Sequence, residues 1–151
     1  MSVSGVVSNM ATFKHVLVPV DGSKAATRAA EHAIDLVGDV DGRVTALYVI
    51  DMGDADYVAV PSDIAETKER VRKKGEELTN EVREMAEAAG VECETAVVTG
   101  VPDEAIVEYA EKYGVDLVTM GKHGKRDPDK PIIGNTARRV VQEAAVPVHT
   151  V

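Results

Sequence analysis

The residue types able to do chemistry in this chain concentrate between Met120 and Thr136, which reads MGKHGKRDPDKPIIGNT. Gly121 and Gly124 can take positive φ and let a backbone come close to a ligand. Gly134-Asn135-Thr136 opens a helical stretch, where unsatisfied N–H groups and the helix dipole favour an anion. Lys122, His123, Lys125, Arg126 and Lys130 form the densest basic patch in a chain whose net charge is −9. Glycines, cations and a helix start, in that order, suit a bound phosphate. The same composition also suits a long loop shaped by its glycines, with the cations offsetting Asp127 and Asp129. Neither G-x-x-x-x-G-K-[ST] nor G-x-G-x-x-G occurs in the sequence.

The elements that must position these residues alternate. Val-, Leu- and Ile-rich runs at His15–Val20, Val44–Ile50, Cys93–Thr99, Val115–Met120 and Val146–Val151 read as strands covered on both faces. Pro147 lies in the last run, so that strand is an edge or begins at the proline. Helical patterns fill the gaps. Ser23 is the expected N-cap of the first, whose face is Ala26, Ala29, Ala30, Ala33 and Val37. The second starts near Ser62 and ends before Gly90, with Val71, Leu78, Val82, Met85 and Ala89 on its apolar side. Its other side mixes charges of both signs, including Arg70 and Lys74, and reads as a solvated face.

Pro102, followed by Asp103 and Glu104, suits the first turn of a third helix that Gly114 closes. A fourth runs from about Asn135 to Ala145 and buries Ala137, Val140, Val141 and Ala144. This alternation predicts an α/β fold, a single domain with a parallel sheet and helices on both faces. Ligands of such sheets bind beyond the carboxyl ends of the strands. Asp21-Gly22-Ser23, Asp51, Gly100 and the stretch after Met120 are therefore the places to search.

Composition narrows the function. The chain has 151 residues, enough to bury a core without disulfide or metal. Its 26 acidic against 17 basic residues argue against a nucleic-acid-binding face. The apolar stretches are too short for a membrane span, and the N-terminus lacks the basic and long apolar regions of a signal peptide. The expected arrangement is a flexible tail over 1–13 ahead of one domain over 14–151. The single cysteine, Cys93, reads as a small apolar residue and fits a reducing cytoplasm.

Spacing sharpens the reading of the glycines. Gly121-x2-Gly124-x9-Gly134 is similar to the G-2x-G-9x-G-[ST] signature of the universal stress protein family, in its ATP-binding branch. His15–Ser23 resembles the family's first strand and turn, and Ala46–Asp51 its second strand. Val101–Ile106 resembles the turn into its third helix, Asp116–Gly124 its fourth strand and loop, and Ala145–Val151 its last strand. The resemblance implies a five-stranded Rossmann-like sheet of order 3-2-1-4-5.

It also implies a binding role for particular residues. Pro19, Val20 and Asp21 would line the adenine–ribose side, with Val49 beneath the base. Met120, Gly121 and Gly124 would approach ribose and phosphates through backbone groups, and Gly134, Asn135 and Thr136 would cap the phosphates. His123 is either a phosphate contact or an exposed loop residue. Asn135 departs from the family's Ser or Thr; it is a competent N-cap but lacks the hydroxyl. Thr136 lies about 100° further round the helix.

The implied ligand is ATP or a related adenine nucleotide, with Mg²⁺ entering through the phosphates. The implied assembly is a homodimer through Val146–Val151, and the implied role a cytoplasmic, nucleotide-dependent stress sensor. A weak ATPase or phosphotransfer enzyme and a nucleotide-free dimeric scaffold are the alternatives. Lys122, Lys125 and Arg126 offer charge for phosphoryl transfer, but no convincing base accompanies them. A receiver domain is excluded by the residues, since the third run ends in Thr99-Gly100 and the fifth carries no Lys.

Overall fold

The computed structural model describes residues 13–51, 64–124 and 133–151. Five strands, β1 (His15–Pro19), β2 (Arg43–Ile50), β3 (Glu92–Thr99), β4 (Leu117–Met120) and β5 (Val148–Thr150), form one sheet in the order β3-β2-β1-β4-β5. All four pairings are parallel. β5 is an edge strand and begins directly after Pro147, which therefore never has to donate to the ladder.

Four helices cover the sheet: α1 (Lys24–Gly38), α2 (Ile64–Ala88), α3 (Pro102–Lys112) and α4 (Asn135–Glu143). Alternation along each strand divides the core in two. Val16, Val18, Val44 and Ala46 pack with α1 and α2, whereas Leu17, Leu47 and Val118 pack with α3 and α4. The alanine face of α1 is buried throughout, and its small side chains let the helix lie close to β1 and β4. Phe13 packs half-buried against this core; residues 1–12, the rest of the expected tail, lie outside the described residues.

Three details differ from the sequence reading. Val141 is 48 % exposed, because α4 is short and offers only Ala137 and Val140 squarely to the sheet. Ala89 is exposed just beyond the end of α2. Leu78 and Met85 pack half-buried on the core as expected, while the fully buried line on α2 adds Thr67, Gly75, Thr79 and Ala86 to Val82. A side chain at Gly75 would stand 2.6 Å from Cδ2 of Tyr48, so a glycine in mid-helix is what lets α2 seat against β2. The expected start near Ser62 lies outside the described residues.

Candidate functional site

Chain order and spatial order part company at β1. The connection from β1 goes to β2 on one side, while β4 arrives on the other, so a crevice opens above the carboxyl ends of β1 and β4. Asp21 and Ser23 shape its near wall. The Asp21 carboxylate accepts from the Ser23 amide at 2.9 Å, and the Ser23 hydroxyl accepts from the Ala26 amide at 3.1 Å. Gly22 between them sits at φ 89°, a left-handed conformation that favours glycine. This turn caps α1 and holds Asp21 at the mouth.

The far wall is the glycine segment, and it works by close approach rather than by unusual dihedrals. Among the described glycines only Gly22, Gly90 and Gly114 have positive φ, which corrects the expectation for Gly121 and Gly124. A Cβ on Gly121 would meet the Cβ of Ala25 at 2.6 Å, and one on Gly124 would lie 3.1 Å from Oδ2 of Asp21. The Gly134 amide donates to the Lys122 carbonyl at 2.6 Å, drawing the start of α4 back to the end of β4. A Cβ on Gly134 would press that same carbonyl at 3.1 Å.

The helix start itself differs from expectation. Gly134 is the N-cap of α4, no side chain caps the helix, and Asn135 is its first residue. Asn135 therefore does not cap; its Oδ1 accepts from Nη2 of Arg138 at 3.2 Å. An uncapped first turn leaves backbone N–H groups for another acceptor. β5 braces the arrangement. Val151, which follows it, donates to the Met120 carbonyl at 2.9 Å and accepts from the Lys122 amide at 2.8 Å.

Between these walls lies a cleft of about 710 Å³. Pro19, Val20, Asp21, Val49, Met120, Gly121, His123, Gly124, Gly134, Asn135 and Thr136 all line it. Val20 and Met120 are buried and supply an apolar floor. His123 is half-buried, and its Nδ1 has no hydrogen-bond partner among the described residues. Lys125, Arg126 and Lys130, the remaining cations of the basic patch, lie outside the described residues.

Sequence reasoning missed the side wall. Tyr48, Arg70, Lys74 and Leu78 line the cleft from β2 and α2, and Pro102 and Ile106 from α3. Arg70 and Lys74 are exposed, as a solvated face requires, yet the packing of α2 against the sheet brings them to the cleft. Their spacing, one helical turn apart and beside Val71 and Leu78, was the available signal. Groups of three or more metal-ligating side chains are absent among the described residues. No helix there is long and apolar enough to cross a membrane.

Comparison with known proteins agrees with this architecture. A sequence model of the "Universal stress protein family" matches residues 12–151. The universal stress protein MJ0531 of Methanocaldococcus jannaschii is 36% identical over 138 residues, covering 90% of this chain and 80% of its own. The solved structure of MJ0577, from the same organism, superposes with a TM-score of 0.82 at 28% identity, over 93% of this chain and 96% of that one. A universal stress protein of Arabidopsis thaliana, solved with AMP bound, has the same fold, with a TM-score of 0.68 at 22% identity, over 91% of this chain and 90% of its own.

Proposed function

The chain belongs to the universal stress protein family, and from that membership and the shape of its cleft we propose that it binds ATP or a related adenine nucleotide and acts as a nucleotide-dependent stress sensor or regulator. The observation that carries the reading is the uncapped start of α4, held by the Gly134–Lys122 hydrogen bond at the glycine-lined end of the cleft. Its unsatisfied N–H groups and helix dipole suit a phosphate. Val20, Val49 and Met120 supply apolar surface for a base at the other end. Asp21 keeps one carboxylate oxygen on the Ser23 amide and turns toward the same space.

The residues present fit such a ligand. A Cβ at Gly124 or Gly134 would intrude on Asp21 or on the Lys122 carbonyl, so the glycines keep the backbone open where phosphates would lie. His123 lines the same space, its unpartnered Nδ1 buried beside it, and Mg²⁺ would enter with the phosphates. The protein with AMP bound supports an adenine nucleotide as the ligand class. The short edge strand β5 suits pairing with a second copy, the arrangement we propose for a homodimer through Val146–Val151.

Identification of co-purified nucleotide by mass spectrometry, followed by calorimetric titration with ATP, ADP and AMP, tests the reading. Binding without magnesium-dependent turnover is expected. No binding of any adenine nucleotide at about millimolar concentration, in low and in high salt, would overturn it.

A further inference from the structure

On the α1 side of the sheet, away from the cleft, His32 of α1 and His149 of β5 meet edge to face. Their ring centroids are 5.7 Å apart and their planes perpendicular. Both residues are exposed, and neither lines the nucleotide cleft. Two imidazoles bound to one tetrahedral ion, each through a metal–nitrogen bond of about 2.1 Å, hold their centroids about 5–6 Å apart. The observed spacing matches that arrangement. Coordination requires the rings to turn out of this edge-to-face contact and bring one nitrogen each to a shared point.

A second observation lies beside the pair. His149 is in register with Thr119 on β4, and Leu117, two residues earlier, belongs to the α1-side core. Strand alternation therefore sets Thr119 on the same face as His149. The Thr119 hydroxyl is fully buried and has no hydrogen-bond partner among the described residues. A fully buried hydroxyl without a partner is uncommon in native interiors.

We propose that His32 and His149 form a two-imidazole site for a divalent transition-metal ion of the zinc or nickel class. Imidazole nitrogen is a favoured ligand for these ions. No third His, Cys, Asp or Glu among the described residues joins the pair, so water completes the shell and the ion is exchangeable. The site ties α1 to β5. Those elements flank the glycine segment, since Ala25 of α1 packs on Gly121 and Val151 follows β5 onto Met120 and Lys122. An ion here would brace that segment from behind without touching a nucleotide.

The test uses the full chain and Zn²⁺ alone, with no nucleotide, so it is independent of the reading of the cleft. Calorimetric titration is run on the unaltered protein, His32→Gln and His149→Gln, with circular dichroism confirming that each variant folds. Thermal unfolding is followed with Zn²⁺ and with EDTA. The unaltered protein is expected to bind and to gain thermal stability, and each variant to lose at least about tenfold in affinity. Ni²⁺ is expected to perturb the ring resonances of His32 and His149 before those of His15 and His123. Affinity unchanged in both variants, or no binding by the unaltered protein up to about 1 mM, would overturn the proposal.

Discussion

Gly121 lies so close to Ala25 that a Cβ on the glycine would stand 2.6 Å from the alanine's own Cβ and 3.0 Å from its carbonyl carbon. The end of β4 and the start of α1 are thus in contact with no room for a side chain between them. Replacement of Gly121 by Ala forces backbone to move, and overpacking of this kind destabilises by about 1–3 kcal/mol. Denaturant unfolding of Gly121→Ala should show that loss. Nucleotide affinity should fall with it, because the shift separates the two walls of the cleft. An unchanged midpoint would mean the contact yields without strain.

Gly124 and Gly134 meet softer obstacles, the Asp21 carboxylate and the Lys122 carbonyl, each at 3.1 Å. The double variant Gly124→Val, Gly134→Val should fold but fill the space assigned to phosphate. Affinity for ATP is expected to drop at least about tenfold, or about 1.4 kcal/mol. Equal affinity in calorimetry would show that the nucleotide lies elsewhere.

Asn135 begins α4, and its amide oxygen is turned to Arg138. Asn135→Ser restores the hydroxyl found in the family signature and removes that exposed hydrogen bond. One added hydrogen bond to a phosphate contributes about 1 kcal/mol, so ATP should bind about fivefold tighter while AMP changes little. If the ATP-to-AMP affinity ratio stays constant, the hydroxyl has no phosphate to reach.

For Gly75 two effects oppose each other. Alanine favours a helix interior over glycine by about 1 kcal/mol. The new methyl, however, would stand 2.6 Å from the Tyr48 ring, with overpacking again of about 1–3 kcal/mol. Packing should win, so Gly75→Ala lowers stability, and its displacement of Tyr48 alters the cleft wall. A gain in unfolding free energy would show that the ring moves aside freely.

His15 links stability to pH. It is buried, its Nε2 lies 2.8 Å from the Thr45 hydroxyl, and Nη2 of Arg43 lies 3.4 Å from its Nδ1. Burial first, then the Arg43 charge, hold the imidazole pKa below its ordinary value, outweighing the opposite pull of Glu94, Asp116 and a hydrogen bond to the Tyr113 backbone. The unfolded chain then binds the proton more readily than the folded one. Stability is full above the ordinary histidine pKa, about 6.5, and declines as pH falls below it. His15→Gln should flatten that decline in urea midpoints measured between about pH 5 and 7. An identical slope in the variant would assign the decline to other groups.

Much of this molecule was legible in local sequence. The strand runs, the Ser23 cap, Pro102 at a helix start and Gly114 at a helix end follow from backbone preferences acting over a few residues, and the structure has each of them. The spacing of Gly121, Gly124 and Gly134 also pointed to the family, which the matching of residues 12–151 establishes. The eleven residues named from that resemblance share one cleft, because a parallel sheet delivers the ends of its strands to one side.

What local pattern could not decide was which element touches which. The glycines of the cleft are required by contacts with Ala25, Asp21 and Lys122, twelve or more residues away in sequence, and not by positive φ. Arg70 and Lys74 have the composition of a solvated face, and only the packing of α2 against the sheet sets them at the cleft. Val141 fits an apolar stripe, yet the short α4 leaves it in water. The feature that first drew attention, the glycine segment after β4, was thus determined in its residues and spacing by sequence alone. Its mechanism, close approach between α1, β4 and α4, was decided by tertiary packing, because steric exclusion depends on distances that only the assembled sheet and helices define.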